Sequence, residues 1–553
     1  MSSPFSAPPG FGWPPHLQDY LKAAERAMGA GDVTRAMQIS AEAAQRGIEH
    51  PGMLALAVHH FLDLGQFQQA FRYATRAREL APRQGDVLNA LGQTLVKLDR
   101  PREAINLFDE ALRYSPASFA SHFNKAEALV AASELKKARD QYLRALALKP
   151  EHVETLTKLA HLAAQRGDAG EAREYGARAL KVHPHEVHAK CAIATADIIE
   201  RNYTAVLAAL KPLADSSALN AATRATAQIM IGDALDALDK PQEAFAAYSQ
   251  AGNNLHAVYT PIYARPGQTT ASSLARKLER YFRDAPPQSW RGVSAGDFKS
   301  PVETHVFLLG FPRSGTTLLG QVLAAHPKME TMEERSCLDD SHPFVLEEGG
   351  LDRLASLDGT SLDQYRAAYW KRVANEWAAP SRPVFIDKLP LNSVLLCLIA
   401  KLFPDAKILF ALRDPRDVVL SCFRRRFGMN AQMYELLTLQ SAAAYYDAVL
   451  SLTETCRKQF SLDFFEAYHE NLVSNFEEET RRLCKFLGVE HDPGMQEFAP
   501  AARDRHIDTP SAAQVARGLF GDGRGKWRAY QDEISPVMPI LAPWVAHFGY
   551  ASE

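Results

Sequence analysis

A short segment between residues 305 and 326 combines the residue types that bind phosphate. The apolar run His305–Gly310 predicts a buried strand, and Leu318–His326 has the apolar spacing of a helix. Gly310 and Gly315 bracket the turn between them, five residues apart as in nucleotide-binding P-loops. Backbone N–H groups converge at the start of such a helix, and the helix dipole favours an anion there. The sequence therefore predicts an anion cradle at this turn.

The turn lacks the lysine of nucleoside-triphosphate enzymes. Thr316 stands where those loops place lysine, and Thr317 follows in the usual Ser/Thr position. That lysine reaches the β- and γ-phosphates, so its absence argues against triphosphate chemistry. The positive charge comes from Arg313 inside the loop, which suits a shorter anionic chain. The alternatives are a kinase or ATPase P-loop, a P-loop that has lost its function, and a plain strand–turn–helix.

A second turn supplies an arginine and a serine. Ile408–Leu412 predicts a buried strand, and Asp414 and Pro415 predict a helix start, with Asp as N-cap and Pro in the first position. Arg413 stands at the strand end and Ser421 two turns into the helix, eight residues later. Open α/β sheets bind ligands at the carboxyl ends of their strands, so both side chains could face one phosphate. The alternative is an ordinary helix start with a surface arginine.

A third predicted strand, Val384–Ile386, is followed closely by Lys388, a candidate cation at the same sheet edge. Asp387 offers a rival interpretation as a magnesium ligand of the Walker B type. A magnesium site of that kind expects the P-loop lysine and a triphosphate partner. The sequence therefore predicts no metal site.

The segment PRSGTT after a strand resembles the 5′-phosphosulfate loop of sulfotransferases, which use 3′-phosphoadenosine 5′-phosphosulfate (PAPS). The resemblance implies that Arg413 and Ser421 hold the 3′-phosphate of this cofactor. It also implies that Lys388 reaches the bridging oxygen of the leaving phosphate. The residues of the loop itself that the resemblance assigns to cofactor binding are Pro312, Arg313, Ser314, Gly315, Thr316 and Thr317.

The run from Pro312 to Glu334 resembles the same region of tyrosylprotein sulfotransferases with no gap. There the second acid of a Glu-Glu pair is the general base, and it falls on Glu334. The resemblance thus implies Glu334, Lys388 and Arg313 as catalytic residues. Ser336 departs from that family, which has an arginine there that touches acidic acceptor peptides. A preference for tyrosine in acidic context is therefore not carried over.

Later segments resemble the same families more briefly. Tyr468, at the end of a predicted strand, matches a tyrosine that stacks by the adenine. The resemblance further implies late cofactor contacts at Ser511, Gln514 and Lys526. Ser474 and Glu477 have the spacing of a helix capping box.

The basic run Arg424–Arg426 follows the second predicted helix. A run of like charges of this kind is typical of a solvated helix face, which we favour here over an acceptor site.

The first third of the chain carries four rows of residues with a 34-residue period, which is the period of tetratricopeptide repeats. Small side chains permit close approach of paired helices, and proline ends a helix because it cannot continue one. The rows are Ala36, Ala70, Ala104, Ala138 and Ala172; Ala43, Ala77, Ala111, Ala145 and Ala179; the turn row Gly31, Gly65, Asp99, Ser133 and Gly167; and Pro82, Pro116, Pro150 and Pro184.

Five clear repeats run from about Leu21 to Pro184, and weaker ones continue to about Ala251. We predict a disordered lead-in at 1–18, a repeat array at 19–251, a connector with one helix at 252–300 and a sulfotransferase domain at 301–553. The predicted fold is an all-α tetratricopeptide superhelix followed by an α/β P-loop-type parallel-sheet domain. Such arrays form a concave groove that holds a peptide or protein partner.

The composition of the chain indicates which cell compartment and which classes of partner to expect. The chain has 553 residues and a net charge of −3, which gives no indication of nucleic acid or an anionic membrane as partner. The start of the sequence lacks the basic and apolar regions of a signal peptide, and no stretch approaches a membrane span. The six cysteines form no Cys-x-x-Cys pair, which predicts reduced thiols and a cytoplasmic protein. Nothing in the sequence indicates an oligomeric state.

The combination of both halves resembles the tetratricopeptide-containing sulfotransferases. It implies transfer of a sulfuryl group from PAPS to an acceptor hydroxyl, on a protein or peptide tyrosine held by the repeats. A glycan or small-molecule acceptor, with the repeats as a dock for a partner, is one alternative. A repeat scaffold with an inactive transferase domain is another.

Overall fold

The computed structural model describes residues 15–132, 134–285, 290, 298–499 and 523–551. These residues divide into two compact units, with the boundary between Ala196 and Asp197. Most of the predicted lead-in lies outside the described residues. None of the helices among these residues combines the length and the apolar character of a membrane-spanning segment.

The first unit consists of helices joined in pairs by tight turns. Its helices are α1 Pro15–Gly29, α2 Val33–Gln45, α3 Pro51–Asp63, α4 Phe67–Leu80, α5 Gly85–Lys97, α6 Pro101–Tyr114, α7 Phe119–Ala131, α8 Leu135–Leu148, α9 Val153–Gln165, α10 Ala169–Val182 and, across the boundary, α11 Val187–Ile199.

The four rows occupy the positions that their chemistry predicts. All ten alanines are 0% exposed, because the paired helices approach closely at these positions. Gly31, Gly65, Asp99 and Gly167 adopt positive φ in the turns, while Ser133 lies outside the described residues. Each of the four prolines stands two residues after the end of a helix, as after Leu80. The predicted helical repeat pattern is confirmed.

The second unit contains four further helices and an α/β domain. The helices before the sheet are α12 Tyr203–Ala214, α13 Ala221–Ala237, α14 Pro241–Tyr263 and α15 Ala271–Asp284. The strands are β1 Thr304–Gly310, β2 Met329–Glu333, β3 Val384–Lys388, β4 Lys407–Leu412 and β5 Asp463–Tyr468. The later helices are α16 Thr316–Ala324, α17 Pro343–Leu346, α18 Gly350–Ser356, α19 Gly359–Glu376, α20 Leu396–Leu402, α21 Pro415–Phe423, α22 Ala431–Tyr434, α23 Leu439–Gln459, α24 His469–Ser474, α25 Phe476–Leu487, α26 Gln531–Ile534 and α27 Met538–His547. Short 3₁₀ turns span Asp339–Ser341, Pro390–Leu395, Pro493–Glu497, Lys526–Tyr530 and Ser535–Val537.

The five strands form one parallel sheet in the order β2-β3-β1-β4-β5. The apolar strands are covered by helices, and Val306, Leu308, Ile386 and Leu409 are fully buried among α16 and α25 residues. β1 has a neighbour from later in the chain on each side, so the crossover direction changes at its carboxyl end. Ligands of open α/β sheets bind at such a point. The predicted fold class, helical repeats followed by a parallel-sheet α/β domain, is confirmed.

Two local predictions differ in outcome. Asp414 is the N-cap of α21, its side chain accepts from the Arg416 N–H, and Pro415 is the first helical residue, as predicted. The predicted capping box of Ser474 and Glu477 is wrong. Ser474 is the last residue of α24, and its Oγ donates to the Glu470 carbonyl. The N-cap of the next helix, α25, is Asn475, so Ser474 does not cap that helix.

Candidate active site

The loop between β1 and α16 presents its main chain at the carboxyl edge of the sheet. Gly315 is the N-cap of α16, with φ 101° and no side-chain cap hydrogen bond. A Cβ at this position would lie 2.8 Å from His469 Nδ1, so glycine is required for both conformation and space. The first turn of a helix leaves N–H groups without intrahelical acceptors. This end of α16 can therefore receive an anion.

Arg313, Arg413 and Ser421 converge beside this loop, although they lie on three different segments. Arg313 Nε donates to Ser421 Oγ at 3.0 Å, and Arg413 Nη1 lies 3.5 Å from the Arg313 carbonyl oxygen. Burial lowers the pKa of Arg313 to about 10, and the nearby Arg425 and Arg413 act in the same direction. Arg313 is therefore still cationic at neutral pH. The arrangement concentrates positive charge around one point of the sheet edge.

His469 joins this cluster, and sequence reasoning missed it. Its Nδ1 and the Nε of Arg413 are buried, and neither has a hydrogen-bond partner among the described residues. Burial lowers the pKa of His469 to about 3, with Arg413 and Arg313 acting in the same direction, so its imidazole is neutral. Buried polar atoms are nearly always hydrogen-bonded. His469 Nδ1 and Arg413 Nε lack such partners in the described part of the chain and lie near Arg313, which fits a site for an anionic ligand such as a phosphate.

Lys388 lies between two glutamates at the end of β3. Its Nζ is 2.6 Å from Glu333 Oε2 and 2.6 Å from Glu334 Oε1. Burial opposes its charge, but the two carboxylates outweigh this and raise the pKa of Lys388. Glu334 is 37% exposed and Glu333 only 13%, and Gln321 donates to the other oxygen of Glu333 at 2.8 Å. Of the two glutamates, Glu334 is therefore the one whose carboxylate is accessible from solvent.

Glu334 also adopts an unusual backbone conformation. Its φ is 42°, and its N–H donates to the Lys388 carbonyl oxygen at 2.8 Å. A positive φ at a residue other than glycine is uncommon and concentrates at functional sites. The turn directs the backbone after β2 so that the Glu334 side chain meets Lys388.

Asp387 belongs to a different environment from Lys388, since successive strand residues face opposite sides of a sheet. It is fully buried, and Tyr369 Oη donates to its Oδ2 at 2.9 Å. Burial raises the pKa of Asp387 to about 7. No group of three or more potential metal-ligating side chains occurs in the part of the chain that the structure describes.

Comparison with known proteins matches two segments of the chain to two family models. Residues 305–493 match the sulfotransferase family model, and residues 89–153 match the tetratricopeptide repeat model. The chain combines a sulfotransferase-family domain with tetratricopeptide repeats. The matched sulfotransferase segment contains β2 to β5, all of β1 except its first residue, Thr304, and every residue of the cluster described above.

Individual relatives are distant. An uncharacterized protein of Aquifex aeolicus (strain VF5) is 24% identical over 75% of this chain and 52% of its own length. A protein-tyrosine sulfotransferase of Drosophila melanogaster is 30% identical over 44% of this chain and 51% of its own length. The chain thus spans about half the length of these two curated relatives. The crystal structure of a thermophilic tetratricopeptide-repeat protein from Thermus thermophilus matches 33% of this chain and 99% of its own, with 22% identity and a TM-score of 0.29.

Two of the remaining predicted residues, Tyr468 and Lys526, are among the described residues. Tyr468 ends β5, donates from its hydroxyl to Glu466 at 3.1 Å, and lines a small cavity below the loop together with Ser314 and His469. Lys526 forms an ion pair with Asp236 at 2.9 Å. Ser511 and Gln514 lie outside the described residues.

The basic run Arg424–Arg426 is not a solvated helix face, and that interpretation is wrong. Arg424 is buried and its Nη2 lies 2.5 Å from Asp236 Oδ2, while Arg425 Nη1 lies 2.8 Å from Asp233 Oδ2. Arg426 donates to the hydroxyl of Thr226. All three acceptors are on α13, so distant acids, and not water, neutralise most of this charge.

Proposed function

We propose that this chain is a PAPS-dependent sulfotransferase that moves a sulfuryl group to an acceptor hydroxyl. The observation that carries the proposal is the convergence of Arg313, Arg413 and Ser421 on the loop after β1. The orphaned Arg413 Nε supplies a donor for a phosphate oxygen. Thr316 in place of the P-loop lysine favours PAPS over a nucleoside triphosphate.

The residues of the loop would hold the 5′-phosphosulfate, while Arg413 and Ser421 would hold the 3′-phosphate. The bound donor supplies the sulfuryl group. Lys388, kept cationic by Glu333 and Glu334, would stabilise the charge that develops on the bridging oxygen as the S–O bond breaks. Arg313 would stabilise the same charge from the loop.

Glu334 would accept the proton of the acceptor hydroxyl. Its carboxylate is partly exposed, whereas Glu333 is held between Lys388 and Gln321. A phenol titrates near pH 10 and an alcohol far higher, so a positioned base is needed at neutral pH. Glu333 and Glu334 therefore divide two tasks, since one keeps Lys388 charged and the other also faces the acceptor.

For the acceptor, we propose a protein or peptide hydroxyl, a tyrosine in the first instance, held by the repeats. The name of the Drosophila relative and the repeat match support this choice. A glycan or small-molecule acceptor, with the repeats as a dock for a partner, is the second candidate. The proposed compartment is the cytoplasm, which six cysteines without a Cys-x-x-Cys pair support.

Calorimetric titration of the full chain with adenosine 3′,5′-bisphosphate, beside ATP with magnesium, tests the donor. We expect the bisphosphate to bind without magnesium, and Arg413→Ala to weaken that binding because it removes the orphaned donor. Preference for magnesium-ATP would refute the proposal in favour of a P-loop kinase or ATPase. If neither ligand binds, the result would favour a repeat scaffold with an inactive transferase domain.

A further inference from the structure

Two acidic residues one turn apart on α13 bind cationic and hydroxyl groups, most of which come from the sulfotransferase domain and one, the Tyr248 hydroxyl, from α14. Asp236 receives Arg424 at 2.5 Å, Lys526 at 2.9 Å and the Tyr530 hydroxyl at 2.6 Å. Asp233 receives Arg425 at 2.8 Å and the Tyr248 hydroxyl, also at 2.8 Å. We call this pair, Asp233 and Asp236, the acidic clasp. Residues three apart on a helix share one face, so both carboxylates address the same partner surface.

The groups on Asp236 come from two segments that also contact the proposed donor site. Arg424 follows the last residue of α21, the helix that carries Ser421. Lys526 and Tyr530 belong to the segment 523–530, where the Gly523 carbonyl accepts from Arg413. One carboxylate on α13 therefore joins the two elements that hold the phosphate-binding groups.

The same two segments also contact each other through a second carboxylate. The N–H groups of Gly525 and Trp527 donate to Asp417 of α21 at 2.7 and 2.9 Å. Asp417 accepts from main-chain N–H groups of the segment, whereas Asp236 bonds the side chains of Lys526 and Tyr530. The two acids together fix both the position and the orientation of segment 523–530 on α21.

The helical hairpin that carries the clasp packs tightly against the domain. Gly252 on α14 approaches so closely that a Cβ there would lie 2.0 Å from the Leu437 carbonyl oxygen. The ring of Phe245 packs on Phe423, the last residue of α21, at 5.2 Å between centroids. Arg424 is buried between Tyr248 and Tyr530. The hairpin therefore offers little freedom for α21 to shift relative to α13.

We propose that Asp236 is a positioning residue of the donor site, so that the α13–α14 hairpin is a working part of the sulfotransferase. Asp236 itself does not touch the donor. It fixes α21 and segment 523–530 against each other so that Ser421 and Arg413 face one phosphate. This inference rests on the proposed function, since the ligand it positions for is the 3′-phosphate of the donor.

The test compares two ligands that differ only in the 3′-phosphate, adenosine 3′,5′-bisphosphate and adenosine 5′-monophosphate, on the full chain. Asp236→Asn should weaken binding of the bisphosphate by about tenfold, because a hydrogen bond to a charged group is worth that order of affinity. Binding of the monophosphate should change less than that, because its phosphate lies in the loop after β1. Tyr530→Phe removes one neutral contact to Asp236 and should weaken the bisphosphate by about threefold.

Controls separate positioning from general damage. Glu243→Gln on α14 makes the same change of charge at an exposed residue whose partner is Lys240, and it should leave both affinities unchanged. If Asp236→Asn fails to fold because it leaves Arg424 unpaired, Tyr530→Phe decides the question. The inference would be overturned if Asp236→Asn weakened binding of both ligands equally. It would also be overturned if Asp236→Asn, or a folded Tyr530→Phe, bound the bisphosphate with wild-type affinity. A wild-type chain that does not bind the bisphosphate would instead refute the proposed function, and this inference with it.

Discussion

Replacing Glu334 by glutamine should slow turnover while leaving the fold and donor binding intact. Glutamine keeps the shape of the side chain but cannot take a proton from the acceptor. A general base contributes roughly 10²–10⁴ in rate, so we expect turnover to fall by that factor. Affinity for adenosine 3′,5′-bisphosphate should remain within the error of measurement, because the proposed phosphate-binding cluster of Arg313, Arg413 and Ser421 does not include Glu334.

The structure indicates why stability should survive this change. Lys388 keeps Glu333 at 2.6 Å after the substitution, so its buried charge still has a counter-ion. Glu334 is 37% exposed, and the retained Glu333 avoids the large cost of leaving the buried Lys388 charge without a partner. The expected loss of stability is therefore small beside the loss of about 3–5 kcal/mol in transition-state stabilisation that the rate factor represents.

The assay is transfer of labelled sulfate from PAPS to a tyrosine peptide, with kcat and KM measured separately and thermal unfolding in parallel. Glu333→Gln is the matched control, since it makes the same chemical change at the other partner of Lys388. It should reduce turnover far less than Glu334→Gln, because Glu333 is enclosed by Lys388 and Gln321. Full turnover in Glu334→Gln would refute the base assignment, and a larger loss in Glu333→Gln would transfer it to Glu333.

Three further predictions concern the loop, the sheet and the repeats. Gly315→Ala places a Cβ 2.8 Å from His469 Nδ1 at a residue with φ 101°, so it should lower the unfolding free energy by about 1–3 kcal/mol. The control Gly428→Ala, where no heavy atom of the described residues, apart from its chain neighbours, lies within 4 Å of the added Cβ, should leave the unfolding free energy unchanged. Asp387 holds a proton in the folded state that the unfolded chain releases, because its folded pKa of about 7 exceeds the usual value near 3.9. The stability it contributes is therefore complete below about pH 4 and is lost as the pH rises through 7, so Asp387→Asn should raise the melting temperature more at pH 8 than at pH 5. An equal rise at both pH values would contradict this. Ala104→Leu should destabilise the repeats by about 1–3 kcal/mol in a denaturant titration, because Ala104 is 0% exposed between paired helices, and an unchanged midpoint would count against close helix approach there.

The loop after β1 and the strands around it could be predicted because their signals are local. A run of apolar residues, a glycine pair and an Asp-Pro helix start each determine the conformation of their own neighbourhood. Glu334 and Lys388 are 54 residues apart in the sequence, yet they meet because each follows or ends a strand of one parallel sheet. Carboxyl ends of parallel strands share an edge, so the fold class alone brings such residues together.

The basic run and His469 could not be predicted in the same way. Arg424 and its partner Asp236 are separated by 188 residues, and no periodicity connects them. Charged runs are solvated unless acids from elsewhere neutralise them, and only the folded chain shows those acids. His469 lies directly after β5, as Arg413 lies after β4, so its position at the sheet edge was the available signal. Its contact with Gly315 depends on packing that the sequence does not encode locally.

The acidic clasp has a consequence for how the protein matures on the ribosome. Tyr530 lies 294 residues after Asp236. At roughly 5–20 residues per second, about 15–60 s therefore pass between the synthesis of Asp236 and that of its partner Tyr530. During that interval the repeats of the first unit are already complete and can fold from local contacts. Nascent chains should therefore fold the repeats well before the proposed donor site is assembled.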